Sequence, residues 1–579
     1  MRVASILKKL SITHSQKIIG LAIIIGIISG LMGVALKFSV HFIFTFLTHN
    51  SVLKYWLYLF PVFGVIISFL IMDILFKGKI QKGLTGVLYS IARKSGFISS
   101  QAIWLHPITS IITIGLGGSA GIEGPIVATT AAIGANMAEK YKLNYADRIL
   151  MISAGTAAGI ASVFNAPIAG VMFAIEILLP DLSVANFIPV MISGAAGALC
   201  SRIILHENIL LNFSLRESFN YLNVPWYILL GLICGLISLH YIRVTHFIDS
   251  LMGKYNNRFG KTIAGAFLLS LLCYFFPPLL SEGSNGLKAL ALGNAGSIVD
   301  QIRFTIFADN NFTLIFGLIF LLFFKPIAVA LTINSGGNGG NFGPSLFMGA
   351  MTGYSFSFVI QNLTGSKIPL GNFSLVGMAG VLSGVMHAPL TALFLIAEIT
   401  GGYELFIPLL IVTSFSYLLA RHFEPHSVDT KKLALQKDML THDKDSNALL
   451  LMDTSKLIEK DILEIKSNET LEALIDLIKN SRRNLYAVVD KSGNFQGIVY
   501  LDDIKDMIFE PKLRKKIKIA EVLKTPTETL EISDNMTTVV EKFDRTAYWN
   551  LPVTDNGKYI GFVSKSRIFD EYRRLIKNR

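Results

Sequence analysis

Two short segments hold the residue types most able to do chemistry in apolar surroundings: Gly121-Ile-Glu-Gly-Pro125 and Gly340-Asn-Phe-Gly-Pro344. Each precedes a run of small and apolar residues that reads as a helix. A helix N-terminus presents unpaired backbone N–H groups and about half a positive charge. Glycine lets such a backbone approach an ion closely, and proline in the first turn lacks an N–H that would be orphaned anyway. Gly-x-x-Gly-Pro before an apolar helix is therefore a cradle for a small anion, held by dipoles and released more easily than from a full buried charge. One such segment alone is as well explained by glycine-mediated helix packing. Its recurrence favours the cradle.

The elements that must carry these segments belong to a membrane. The chain has 579 residues, 52% of them hydrophobic and 16% charged. The apolar residues crowd into 17–421 and the charged ones into 422–579. Ile18–Leu36, Leu57–Leu75, Trp226–Ile242 and Leu314–Ile333 approach or reach the roughly 20 apolar residues that a hydrocarbon core demands. Ile108–Leu116 and Ile168–Leu179 are shorter. Short, interrupted helices in a bilayer survive where protein or water satisfies their backbone, which points to a buried pathway. The net charge of +12 does not argue for nucleic acid here. Membrane proteins gain Lys and Arg on cytoplasmic segments, and Met1–Lys17, with Arg2, Lys8, Lys9 and Lys17, reads as one. Cys200, Cys234 and Cys273 lie in apolar stretches with no metal or disulfide spacing. No nucleophile–base pair or metal-ligand cluster stands out in the apolar part, so an enzyme is not expected.

The membrane part repeats itself. Asn165-Ala-Pro leads to Glu176 and His387-Ala-Pro leads to Glu398, with ten residues from Ala to Glu in both. With the two Gly-Pro segments, this gives two halves on one plan, about 17–205 and 225–421. Transporters commonly set such halves in opposite orientations with the binding site between them. The expected domains are an N-terminal segment 1–16, a membrane body 17–421, a linker 422–454 and a tail 455–579. The tail repeats too. Leu485–Val489 and Phe495–Tyr500 flank a Gly-containing turn, as do Asn550–Val553 and Tyr559–Ser564, and helical stretches follow at Asp502–Phe509 and Lys565–Ile576. This α/β unit, occurring twice, resembles a tandem CBS domain.

Gly118-Ser-Ala-Gly-Ile-Glu-Gly-Pro125 resembles the gating motif of the CLC chloride channel and transporter family, with Ile122 where that family usually has a basic residue. Gly339-Gly-Asn-Phe-Gly-Pro344 is similar to its second selectivity motif, and the Ala-Pro…Glu segments and CBS tail also fit. The resemblance covers nearly the whole chain. It implies an all-α polytopic membrane body of two inverted halves with a cytoplasmic α/β CBS pair, a cell (inner) membrane location and a homodimer with one pore per subunit. It implies that Glu123 is a gate, a carboxylate that competes with the anion for backbone N–H groups and swings away when protonated. The alternative for Glu123 is a cap on its own helix. By the same resemblance Gly121, Ile122, Gly124, Asn341, Phe342 and Gly343 form the anion-binding backbone, with the Phe342 ring lining the path.

The sequence departs from the family in several places. The first selectivity motif falls near Lys82–Val87 and has no serine; Lys82 or Leu84 takes that position, and Thr85 is the only hydroxyl. Asp429 stands where the family has an inner tyrosine. Lys82 and Asp429 either pair with each other or turn to a solvated vestibule. Ile177 occupies the place where many exchangers of the family carry a proton-relay glutamate. For Glu176 and Glu398, related by the repeat, a structural role is favoured over proton transfer. In the CBS pair the adenine-nucleotide motif is halved: Asp503 lacks its hydroxyl partner, and Ser564 lacks its aspartate. The tail therefore either binds an adenine nucleotide or only stabilises a dimer; no cofactor is required. The function expected is chloride movement through a glutamate-gated channel, favoured by Ile177. Proton-coupled chloride exchange is the alternative, and a closed, CBS-linked sensor is the third.

Overall fold

The computed structural model describes residues 13–75, 82–178, 184–205, 219–303, 311–365, 368–435, 452–546 and 548–577. Most of the N-terminal segment 1–16 and the middle of the linker 422–454 lie outside them. Thr13 starts the first helix, α1 (His14–His49), with a capping box: the Gln16 N–H donates to Thr13 Oγ1 at 3.4 Å and the Thr13 N–H to Gln16 Oε1 at 3.0 Å. The first half continues through α2 (Phe60–Leu70), α3 (Gly83–Arg93), α4 (Ala102–Gly115), α5 (Glu123–Lys140), α6 (Tyr145–Phe164), α7 (Pro167–Phe173) and α8 (Val184–Leu205). The second half runs α9 (Val224–Gly253), α10 (Arg258–Phe275), α11 (Asn311–Asn334), α12 (Phe342–Thr364), α13 (Leu370–Met386), α14 (Pro389–Ile399) and α15 (Phe406–Phe423). Among the described residues, seven helical segments are long and apolar enough to cross a membrane. The chain is a multi-pass membrane protein.

The repeat is visible in how helices end and pack. Asn165 closes α6 at φ 54° and His387 closes α13 at φ 56°, so the polar residue before each Ala-Pro is a left-handed C-cap. Pro167 and Pro389 then open α7 and α14 at a position that needs no N–H. Helix α1 packs on α6 and α8, and α9 packs on α13 and α15, the same partners one repeat later. These contacts are close. A methyl on Gly26 of α1 would meet the Ser193 carbonyl oxygen of α8 at 2.7 Å, and one on Gly235 of α9 would meet Leu419 of α15 at 2.7 Å. Small residues of this kind let apolar helices associate where no hydrophobic effect drives them.

The halves bond to each other reciprocally. The Gly121 N–H donates to the Gly340 carbonyl at 2.9 Å, and the Gly340 N–H donates to the Gly121 carbonyl at 2.7 Å, in an antiparallel bridge. The Glu398 carboxylate accepts from the N–H groups of Ile168 and Ala169, both at 2.9 Å, at the start of α7. Glu176 in turn accepts from Leu390 at 2.9 Å and Thr391 at 2.7 Å at the start of α14. Each contact repeats with its members exchanged, the mark of a two-fold relation, and inverted halves have that relation.

Residues from Leu440 onward form a second unit. Its first copy holds β1 (Glu464–Lys466), α16 (Leu471–Lys479), β2 (Leu485–Val489), β3 (Phe495–Tyr500) and α17 (Leu501–Ile508). The second holds β4 (Leu530–Glu531), α18 (Met536–Thr546), β5 (Asn550–Asp555), β6 (Lys558–Ser564) and α19 (Lys565–Lys577). In each sheet the first strand is parallel to the second and the second antiparallel to the third. Both leading strands, β1 and β4, are too short to show alternation and were not legible in the sequence. The hairpins of the two copies also join reciprocally, Phe495 N–H to Gly557 carbonyl at 3.0 Å and Tyr559 N–H to Gly493 carbonyl at 3.1 Å.

Candidate functional site

The starts of α3, α5 and α12 converge on one cavity of about 80 Å³. Lys82, Thr85, Glu123, Asn341, Phe342 and Asp429 all line it, so four separated parts of the sequence meet there. A smaller cavity of about 30 Å³ is lined by Lys37, Ile122, Glu123, Phe164, Glu282 and Gly343, among others. Glu123 is the only described residue that lines both. Its side chain is 4% exposed, and Oε2 has no hydrogen-bond partner. The carboxyl lies against the second Gly-Pro segment: a methyl on Gly343 would stand 3.1 Å from Oε1. Glu123 thus sits as a plug between two spaces, touching backbone of the opposite half.

The glycines of the two segments are dictated by proximity. A methyl on Gly124 would meet the Gly340 Cα at 3.0 Å, and one on Gly340 would meet the Gly124 nitrogen at 2.6 Å. The reciprocal bridge has a consequence for the expected cradle. The Gly121 N–H is spent on the Gly340 carbonyl, and the Ile122 N–H donates to Glu282 Oε1 at 2.9 Å. Both expectations for these two residues as ion donors need correction, because protein acceptors already hold their N–H groups. Gly124, Phe342 and Gly343 stand in the first turns of α5 and α12, where no carbonyl of the same helix can take their N–H groups. Asn341 enters through its side chain. The Phe342 ring lines the larger cavity and packs on Phe164 and Phe173 at 5.4 and 6.1 Å.

Lys82 and Asp429 face the same cavity without pairing. Lys82, the N-cap of α3, donates from Nζ to the Gly337 carbonyl at 2.8 Å. Asp429 Oδ1 accepts from Asn341 Nδ2 at 2.9 Å, and Asn341 Oδ1 accepts from the buried Tyr241 hydroxyl at 3.1 Å. The Thr85 hydroxyl donates to the Asp429 backbone carbonyl at 3.0 Å. A brace holds this segment: Val428 N–H to Val385 carbonyl at 3.2 Å, and Glu424 bridged to Lys431 at 2.6 Å and Arg243 at 3.2 Å. Burial pushes the Glu424 carboxyl up, but those two cations outweigh it and hold it below the usual carboxylate range.

Ile177 lies in a π-helical turn, Ala174–Leu178, directly after Glu176. Glu176 and Glu398 spend both carboxylate oxygens on helix starts of the opposite half, and Glu176 also takes the Thr391 hydroxyl at 2.6 Å. In the tail, Asp503 is bound by Lys524 at 2.7 Å, and Ser564 by Glu459 and by the Arg567 N–H at 3.2 Å.

Sequence reasoning missed Lys37, Tyr241, Glu282 and Lys325. Lys37 is buried in α1 and donates to the Val163 carbonyl. Lys325, fully buried in α11, donates to Ser119 Oγ at 2.9 Å and to the carbonyls of Leu279 at 3.2 Å and Ser281 at 3.3 Å, which anchors the loop that bears Glu282. The rule that singled out Glu123, that charge inside an apolar body is costly and functional by default, would have found three of the four.

Two reciprocally joined halves, interrupted helices and helix starts converging on a buried cavity define a membrane ion-transport protein. Residues 63–421 match the voltage gated chloride channel family, and 455–510 and 519–574 match CBS domains. The chain belongs to the voltage gated chloride channel family. It is 25% identical over 422 residues to the H(+)/Cl(-) exchange transporter ClcA of Vibrio cholerae, covering 69% of this chain and 86% of that one. Its fold resembles that of a slow cyanobacterial Cl-/H+ antiporter, with TM-score 0.60 and 20% identity over 72% of this chain and 97% of the other. A eukaryotic CLC transporter is similar over 95% of this chain and 97% of its own, with TM-score 0.59 and 20% identity.

Proposed function

We propose that the protein exchanges chloride for protons across the cell membrane, with Glu123 as the shared element of both paths. One observation carries this: Glu123 alone among the described residues lines both cavities, so its side chain must leave for an anion to pass from one to the other. As a carboxylate it takes the place of an anion beside the helix starts, where negative charge is favoured. Protonated, it loses that charge and yields the place to chloride. The similarity to ClcA of Vibrio cholerae supports exchange. Ile177, which cannot carry a proton, favours a second reading, a chloride channel with the same gate. In both, the protein works as a homodimer in the inner membrane with the CBS pair in the cytoplasm. Adenine nucleotide at the CBS pair is a separate proposal, tested by calorimetric titration with ATP; binding there has to displace Lys524 from Asp503.

The deciding experiment is reconstitution into liposomes under a chloride gradient, with chloride efflux and external pH recorded together. Exchange predicts chloride efflux with protons driven against their own gradient in fixed ratio. Efflux without protons establishes the channel, and no efflux above protein-free liposomes overturns both.

A further inference from the structure

The geometry points to Asp429 as the residue that delivers protons to Glu123 from the side of the larger cavity, in place of the relay glutamate absent at Ile177. This rests on the exchange reading. Asp429 and Glu123 line one cavity, and its roughly 80 Å³ leaves room for two or three water molecules at about 30 Å³ each. The two carboxylates differ in access. Asp429 is half-buried, whereas Glu123 is 4% exposed and needs an intermediary. The unpartnered Oε2 of Glu123 is a ready acceptor.

Asp429 is also held for the task. Asn341 occupies Oδ1, Thr85 fixes its backbone carbonyl, and Tyr241 locks the Asn341 amide so that its NH₂ faces the carboxylate. This leaves Oδ2 for the proton. The charged and titratable groups around it are Lys82 at the start of α3, Glu123 at the start of α5 and Tyr241 in α9; Glu424, Lys431 and Arg243 brace the segment behind it. The step balances without any further reactant. The proton leaves Asp429 Oδ2 for a cavity water, that water passes one of its own protons to the Glu123 carboxylate, and Asp429 recovers a proton from solvent. The cavity that the two carboxylates share gives room for water between them, and water-mediated transfer is an ordinary route for such protons. Lys82, bonded to the Gly337 carbonyl rather than to Asp429, leaves the carboxylate free to change charge.

The test is Asp429→Asn beside Asp429→Glu in the full chain, with chloride and proton flux measured in the same liposomes. Asn should cut proton flux about tenfold or more while chloride flux persists, since one acid–base group is worth at least that. Glu should restore the wild-type ratio. An unchanged proton-to-chloride ratio in Asp429→Asn overturns the inference and leaves exchange standing. Wild-type protein that moves chloride but no protons overturns both the inference and exchange, and leaves only anion transport. If Asp429→Asn does not yield folded protein, Asp429→Ala takes its place: proton flux cut about tenfold with chloride flux intact supports the inference, and an unchanged proton-to-chloride ratio overturns it.

Discussion

The two Gly-Pro segments share one backbone and carry different loads. Gly121–Pro125 bears Glu123, a group that changes charge; Gly340–Pro344 bears Phe342, which cannot. Both start helices, and they bind each other through one pair of reciprocal hydrogen bonds. The difference teaches how an inverted repeat makes a functional site. Symmetry builds the junction, and a single ionisable residue at it, present in one half and absent from the other, sets the two segments apart. The paired glutamates Glu176 and Glu398 show the opposite case, where both halves keep the same residue and its job is to hold the halves together.

Breaking the junction should have the largest effect. Gly340→Ala puts a methyl 2.6 Å from the Gly124 nitrogen. Overpacking of this kind costs about 1–3 kcal/mol, and a displacement of the two helix starts should reduce chloride flux about a hundredfold. Liposome flux and detergent thermal unfolding read the two parts separately. The glutamate pair comes next. Glu176→Ala leaves two N–H groups and a hydroxyl without their acceptor, and Glu398→Ala leaves two N–H groups. The expected losses are about 3 and about 2 kcal/mol, at the lower end per group because both sites keep some water access. Equal losses would mean that the Thr391 hydroxyl contributes nothing. The smallest effect belongs to Glu282→Ala, which frees the Ile122 N–H for the ion. The chloride concentration for half-maximal flux should fall about threefold, the worth of one net hydrogen bond; a rise would assign Glu282 to the support of the loop rather than to competition with the anion.

Local features were legible in the sequence and long-range partners were not. Gly-Pro before an apolar run announces a helix start, so Glu123 and Phe342 were placed at the starts of α5 and α12, where the structure has them. Asn165 and His387 announced themselves as recurring polar residues, though only the backbone shows them as left-handed caps. The Ile122–Glu282 bond spans 160 residues and the Tyr241–Asn341 bond 100. No periodicity links residues so far apart, so the loss of Ile122 as an ion donor could not be foreseen. Lys82 and Asp429 were placed near the same site by resemblance, yet their partners, the Gly337 carbonyl and the Asn341 amide, come from a third segment. A sequence alignment of motifs locates such residues without saying what they bind.

The central claim is that Glu123 is the shared gate of anion and proton. It is tested most directly by Glu123→Gln, with chloride and proton flux measured across pH in liposomes. Gln cannot carry the carboxylate's charge or its proton. Chloride flux should persist, lose the rise with falling pH that protonation of Glu123 gives the wild type, and proceed without proton movement. Proton-coupled flux with the wild-type pH profile in Glu123→Gln would contradict the account.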